Sequence, residues 1–157
     1  MKIKAAADEF LTSRRIAVTG VSRTPGSHGG NVVYRRLRER GYEVFAVNPN
    51  ADTVEGDPAY PQLSSIPGGV DAVVVATAPR HADATVRDAC ELGITRIWMH
   101  RSVDAGSVSD TATQYGRQHG ATVIDGGCPL MFGPASDGGH KVMCRVLTLF
   151  GRVPRQV

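Results

Sequence analysis

The chain has 157 residues, of which 41% are hydrophobic and 21% are charged, and 18 Lys and Arg stand against 15 Asp and Glu. This length and composition fit one globular domain with a full core, and they exclude disordered, collagen-like and low-complexity proteins. Basic residues form no long block and do not interleave with aromatic residues, so we expect no nucleic-acid partner.

The cysteines and the N-terminal sequence indicate the cellular compartment of the protein. Cys90, Cys128 and Cys144 are odd in number and have no paired spacing, which predicts a reducing environment and no disulfide framework. The N-terminal stretch has no apolar signal-peptide core, and no stretch reaches the roughly 18 apolar residues of a membrane span. We therefore expect a cytoplasmic protein without a membrane partner, folded as one domain over residues 1–157.

The first part of the chain alternates β-rich runs with a helical pattern. DEFLTS predicts a short helix laid against a sheet, and IAVTG predicts a strand over Ile16–Gly20. NVVYRRLRERG predicts an amphipathic helix over Asn31–Gly41, with the final glycine as its C-terminal cap. EVFAVNP predicts a second strand, which Asn48 and Pro49 close.

The second part continues the alternation after a loop-rich stretch, Asn50–Gly69, in which LSSIP predicts a short helical turn. DAVVVATAP predicts a strand over Asp71–Pro79, buried on both faces because its apolar residues do not alternate with polar ones. The remaining elements are predicted as helix His81–Gly93, strand Thr95–His100, helix Val108–Gly120, strand Ala121–Asp125, loop 126–134 and helix His140–Gly151.

The apolar residues of the last helix allow two interpretations. Val146, Leu149 and Phe150 are expected to belong to the core, and a homodimer contact is the alternative.

Strands that alternate with helices through short links predict an α/β fold with one parallel sheet. We expect a Rossmann-like, doubly wound sheet of about five strands in the order 3-2-1-4-5. In such a sheet the ligand binds beyond the carboxyl ends of the strands, near the switch point beside strand 1.

The loop after the first strand resembles a dinucleotide-binding turn but lacks its fingerprint. The NAD motif G-x-G-x-x-G needs a second glycine where Ser22 follows Gly20 and Val21. It also needs an acid at the end of the second strand for the ribose hydroxyls, where the sequence has Asn48 and Pro49. Both marks argue against NAD.

The same loop is suited to phosphate. Gly29, Gly30 and Asn31 precede a helix, whose N-terminus offers unpaired N–H groups and partial positive charge. Arg23 and His28 are candidate side-chain donors. The alternative is a plain connection between strand and helix in which glycine serves only the turns.

Other chemical motifs are missing from the sequence. It has no G-x-x-x-x-G-K-[ST], no H-E-x-x-H, no C-x-x-C and no G-x-S-x-G, and its histidines have no metal-site spacing. We therefore assign no catalytic residue and no metal ligand. Cys128 in GGCPL is either a reactive thiol at the ligand edge of the sheet or a small residue buried in a tight turn.

Several of these segments together resemble a known family. GY-x-V-x-x-VNP, Y-P-x-L-x-x-IP and the late CP dipeptide resemble the bacterial stand-alone CoA-binding domain proteins. Those proteins are similar to the N-terminal CoA-binding domain of the succinyl-CoA synthetase alpha subunit. The resemblance runs from about Phe10 to Pro134, and it implies a Rossmann-like fold that binds CoA rather than NAD.

The resemblance also implies which residues contact CoA. They lie in three loops that hold the diphosphate, the adenosine and the pantetheine arm, and in a late turn. The loops carry Gly20, Val21, Ser22 and Arg23, then Asn48 and Pro49, then Thr77, Ala78 and Pro79, and the turn carries Cys128 and Pro129.

Two positions depart from the synthetase pattern. Ala51 stands where the synthetase has a lysine, and Gly127 stands where it has an asparagine before the CP dipeptide. The catalytic phosphohistidine of the synthetase lies in a second domain, so the resemblance does not imply the ligase reaction.

The sequence therefore predicts a protein that binds CoA or acyl-CoA without catalysis of its own. A thiol-dependent or redox enzyme that uses Cys128 is one alternative. An NAD(P)-binding protein is the other, and in that case Arg23 is the candidate for a 2′-phosphate contact.

Overall fold

The computed structural model describes residues 1–24, 29–101, 106–136 and 138–157. Seven strands and five α-helices are present in these ranges. The strands are β1 (Arg15–Thr19), β2 (Glu43–Val47), β3 (Thr53–Val54), β4 (Asp57–Tyr60), β5 (Ala72–Val75), β6 (Arg96–Met99) and β7 (Thr122–Asp125). The helices are α1 (Ile3–Phe10), α2 (Gly29–Glu39), α3 (Pro79–Glu91), α4 (Asp110–Gln118) and α5 (Gly138–Leu149). Short 3₁₀ turns occur at Leu63–Ser65, Pro129–Met131 and Gly133–Ala135.

The strands form one sheet in the order β3-β4-β2-β1-β5-β6-β7. All neighbours pair in parallel except β3, which is antiparallel to β4. The predicted α/β class and Rossmann-like parallel sheet are therefore confirmed. The direction in which strands are added reverses between β1 and β5, which makes that gap the switch point of the sheet.

The predicted number of strands and their order, 3-2-1-4-5, were wrong. The predicted third strand is β5, and it pairs with β1 rather than with β2. The position beside β2 is taken by β4, which belongs to a hairpin inside the stretch predicted to be loop. Because β4 occupies the outer edge of β2, β5 cannot pair there. The chain instead returns to the other side of β1, where β5 forms.

The missed hairpin has little sequence signal. Strand β3 has two residues and β4 has four, one of which is Pro58, a residue that cannot donate to a sheet hydrogen bond. The two residues of the turn, Glu55 and Gly56, both have positive φ, at 50° and 81°. Such a turn matches the right-handed twist of a hairpin, but its usual first residue is Asn or Asp rather than Glu.

Helices cover both faces of the sheet and divide the core in two. One cluster joins α1, α2 and α5 to β1 through residues such as Phe10, Leu37 and Ile16. The other joins α3 and α4 to the opposite face of the sheet through residues such as Val86 and Ala112. All four residues of β5 are fully buried, as the unbroken apolar run predicted. None of the described helices is both long and apolar enough to cross a lipid bilayer.

The two terminal helices differ in how tightly they pack. Helix α1 begins earlier than predicted and packs Phe10 edge-on against Trp98, with ring centroids 5.3 Å apart. On α5, Leu147 is buried, but the side chains expected in the core are exposed: Val146 is 46% and Leu149 81% exposed, and Phe150, directly after the helix, is 75% exposed. The prediction that these three residues belong to the core was wrong.

This contrast on α5 predicts unequal effects of two matched substitutions. We expect Leu147→Ala to lower the free energy of unfolding by about 2–4 kcal/mol, because a buried side chain leaves a cavity. We expect Leu149→Ala to change it by less than about 0.5 kcal/mol in the monomer. Urea unfolding over a range of protein concentrations measures both. Equal losses would contradict the packing, and a concentration-dependent loss in Leu149→Ala alone would place a second copy of the chain on this face.

Candidate functional site

A cleft of about 470 Å³ opens at the switch point of the sheet. It lies at the carboxyl ends of β1, β2 and β5, between the start of the β1–α2 loop and helix α3. Six of the sequence-predicted residues line it: Gly20, Val21, Ser22, Asn48, Pro49 and Thr77. Its volume lies within the range of cofactor and small-molecule pockets.

Asn31, in the first turn of α2, holds the start of the β1–α2 loop. Its side chain is fully buried. The Ser22 N–H donates to Asn31 Oδ1 over 2.8 Å, and Asn31 Nδ2 donates back to the Ser22 carbonyl over 2.9 Å. The second hydrogen on Nδ2 serves Glu55 Oε1, 2.7 Å away. The backbone at Ser22 is thus fixed by an amide side chain that has no remaining donor.

Asn48 holds the loop from the side of β2. Its Nδ2 donates to the Val21 carbonyl over 2.8 Å, and its Oδ1 accepts from the Asn50 N–H over 2.8 Å. The Asn48 N–H donates to the Tyr60 carbonyl, which also connects β2 to β4. The end of β2 thus carries the amide of Asn48 in place of a carboxylate, and this amide is hydrogen-bonded to the protein's own backbone.

Two glycines allow a close approach between the loop, β5 and α2. Gly20 has a φ of +73°, and a Cβ on it would lie 2.5 Å from the Ala76 carbonyl oxygen. A Cβ on Gly30 would lie 2.8 Å from the Gly20 carbonyl oxygen. The N-terminus of α2, where a helix carries partial positive charge, is therefore held directly against Gly20 at the start of the loop.

Thr77 presents an unsatisfied polar group at the cleft. Among the described residues, its hydroxyl oxygen is buried and has no hydrogen-bond partner. It is followed by Ala78, the N-cap of α3, which supplies no side-chain capping bond, and by Pro79 in the first turn. Buried hydroxyls are normally hydrogen-bonded, so this group and the uncapped helix start are suited to a polar ligand.

One wall of the cleft was missed by sequence reasoning. Helix α3 contributes four residues at i, i+3, i+4 and i+7, and the segment that joins β4 to the following 3₁₀ turn contributes a second group. The helix residues are His81, Ala84, Thr85 and Asp88, and the others are Pro61, Gln62 and Leu63. The helical periodicity was readable, because Ala82, Val86 and Ala89 mark the opposite, buried side of α3.

Four of the other predicted site residues are described, and they do not line the cleft. Arg23 is exposed and follows Ser22 directly, and Ala78 and Pro79 adjoin Thr77 at the start of α3. Cys128 is 3% exposed and belongs to the core cluster that contains α2 and α5. His28 lies outside the described residues.

Two ionised groups on the hairpin face α2. Hydrogen bonds from Asn31 and then Arg35 hold the pKa of Glu55 below its usual range. Hydrogen bonds from the Tyr34 hydroxyl and then Arg38 lower the pKa of Asp57. Both carboxylates therefore stay charged at neutral pH and tie the hairpin to the helix that begins at the loop.

A parallel sheet with a glycine-dependent loop and a cleft at its switch point defines a Rossmann-like domain. Residues 14–134 match the model of the CoA binding domain family. The chain therefore belongs to the CoA binding domain family, as the resemblance of its motifs implied.

Two kinds of relatives share this domain. The chain is 31% identical over 122 residues to the uncharacterized protein YneT of Bacillus subtilis, a match that covers 77% of this chain and 87% of YneT. It is 32% identical over 88 residues to the ADP-forming acetate–CoA ligase II of Archaeoglobus fulgidus. That match covers 55% of this chain but only 13% of the ligase, so the chain spans a small part of that relative.

Solved structures share the architecture. A hypothetical protein from Pyrococcus horikoshii superposes with a TM-score of 0.70 at 24% identity, and the match covers 78% of this chain and 83% of that one. A conserved hypothetical protein from Pyrococcus furiosus gives a TM-score of 0.62 at 29% identity, over 70% of this chain and 90% of that one. The match over most of both archaeal chains shows that this fold also occurs as a small protein of similar extent.

Proposed function

We propose that this protein binds coenzyme A in the cleft at the switch point. The end of β2 carries the proposal. In NAD-binding domains a carboxylate at this position binds the ribose hydroxyls. The adenosine ribose of CoA bears a 3′-phosphate instead, which a carboxylate would repel. Here the position is Asn48, whose amide is engaged by Val21 and Asn50, so this position does not repel a phosphorylated ribose and offers no carboxylate to a free diol.

The remaining groups fit the other parts of the ligand. The N-terminus of α2 and the exposed Arg23 are the proposed partners of the diphosphate. The unpaired hydroxyl of Thr77 at the start of α3 is the proposed partner of the pantetheine arm. The family supports this ligand class, whereas the ligase reaction of the Archaeoglobus relative is no part of the proposal because only 88 residues are matched.

Calorimetric titration with CoA, 3′-dephospho-CoA, NAD and NADP tests the proposal. We expect saturable binding of CoA and none of NAD. Asn50 lines the cleft at the end of β2, and Asn50→Asp should weaken CoA binding about threefold to tenfold through one added negative charge. It should weaken 3′-dephospho-CoA binding less. Binding of NAD or NADP alone, or of no nucleotide, would overturn the proposal.

Arg23 offers a separate prediction for the diphosphate. We expect Arg23→Ala to weaken CoA binding by about 1–3 kcal/mol, because a charge-assisted bond to phosphate is lost. The free energy of unfolding of Arg23→Ala should hardly differ from that of the wild type, because the Arg23 side chain is exposed. Arg36→Ala, which removes the same charge at the far end of α2, is the matched control and should leave affinity unchanged. Equal affinities of the two variants would remove Arg23 from the site.

A further inference from the structure

We propose that Glu55, at the tip of the β3–β4 hairpin, is a positioning residue that acts through Asn31 to hold Ser22, at the start of the β1–α2 loop, in its ligand-binding conformation. The proposal deepens the CoA-binding function above and rests on it. Nothing in the sequence motifs marks Glu55, which is 33 residues beyond Ser22, the loop residue that it controls.

The backbone at Glu55 is the first observation. Among the described residues it is the one non-glycine with a positive φ, at 50°. The left-handed region is unfavourable for a residue with a Cβ, and Asn, Asp or Gly would occupy this turn position more easily. A strained backbone persists where the surrounding structure requires that residue. The side chain of Glu55 therefore has a role that a better turn residue would not supply.

The contacts of that side chain show the role. The Glu55 side chain is 8% exposed. Its Oε1 accepts from Asn31 Nδ2 over 2.7 Å and from Arg35 Nη1 over 3.1 Å. Both partners lie on α2, and Asn31 is the residue that holds the Ser22 backbone.

The carboxylate fixes the orientation of the Asn31 amide. An amide can bind with its oxygen and nitrogen exchanged, and only its hydrogen-bond partners select one orientation. Here both acceptors, Glu55 Oε1 and the Ser22 carbonyl, require Nδ2 on their side. With the amide reversed, Asn31 Oδ1 would face a carboxylate, and the Ser22 N–H would lose its acceptor. Glu55 thus adds a third contact, beside the two from Ser22, that favours the amide orientation that keeps the loop in place.

Three variants test this relay, and a fourth stands in reserve. Glu55→Gly removes the acceptor and also relieves the backbone strain, which offsets part of the stability lost with the acceptor, so the protein should still fold while the loop loses its support. Glu55→Gln keeps an acceptor oxygen for Asn31 and should restore wild-type behaviour. Glu39→Gln removes an exposed carboxylate from the other end of α2 and controls for charge. Glu55→Asn, which tolerates the left-handed backbone but is one methylene shorter, replaces Glu55→Gly if that variant does not fold.

Amide hydrogen exchange at Ser22 and CoA titration are the two measurements. In Glu55→Gly we expect the Ser22 N–H to exchange about five to ten times faster and CoA to bind about five to ten times more weakly, as for the loss of one hydrogen bond. Glu55→Gln and Glu39→Gln should match the wild type in both. Unchanged Ser22 exchange in Glu55→Gly would overturn the relay. If the wild type binds no CoA, the proposed function fails, and the exchange measurement still decides the relay by itself.

Discussion

Gly20→Ala is expected to lower the free energy of unfolding by about 3 kcal/mol and to abolish binding in the cleft. The added Cβ would lie 2.5 Å from the Ala76 carbonyl oxygen and 2.8 Å from the Thr77 nitrogen. Both atoms belong to the backbone at the end of β5, so no side-chain rotation relieves the clash. Either β5 moves away from β1, or the loop leaves the end of β1, and both changes distort the cleft.

Gly93→Ala is the matched control for that substitution. Gly93 has a φ of +74°, almost the same as Gly20, but a Cβ there would meet no atom within 4 Å. Gly93→Ala should therefore lower the free energy of unfolding only by the left-handed backbone strain, about 1 kcal/mol. Denaturant unfolding of the two variants separates strain from collision. If both variants lost the same free energy of unfolding, the close approach of Gly20 to β5 would not explain the effect of Gly20→Ala.

The second large effect is expected for Asn31→Asp. This near-isosteric change keeps the acceptor for the Ser22 N–H but replaces both donor hydrogens of Nδ2. A carboxylate oxygen would then face the Ser22 carbonyl and the Glu55 carboxylate, in a position that is fully buried. We expect a loss of about 3 kcal/mol in the free energy of unfolding, the size of the effect when a buried polar contact is broken and left unpaired.

Asn50→Asp makes the same chemical change at an exposed position, and it should alter stability by less than about 0.5 kcal/mol. Thermal and denaturant unfolding at neutral pH compare the two proteins directly. A similar, small loss in both would show that the Asn31 contacts do not stabilise the folded chain, and it would weaken the relay from Glu55 as well.

The sequence by itself determined the local elements and the edge at which they meet. The unbroken apolar run of DAVVVATAP indicated a strand buried on both faces, and β5 is fully buried. Gly20 marked the end of the first strand, and the missing acid after the second strand argued against NAD. These features are readable because periodicity and turn chemistry act over a few residues. Six of the eleven residues predicted for the site line one cleft.

Only the tertiary structure decided which strands are neighbours and which side chains hold the loop. Periodicity records how deeply a strand is buried but not its partner, so β5 was expected beside β2 and lies beside β1. The hairpin that takes its place is too short to show a pattern. The bond from Asn31 to Glu55 joins residues 24 positions apart, and it depends on where that hairpin packs against α2. Contacts of this kind arise from packing between elements, and no local pattern encodes them.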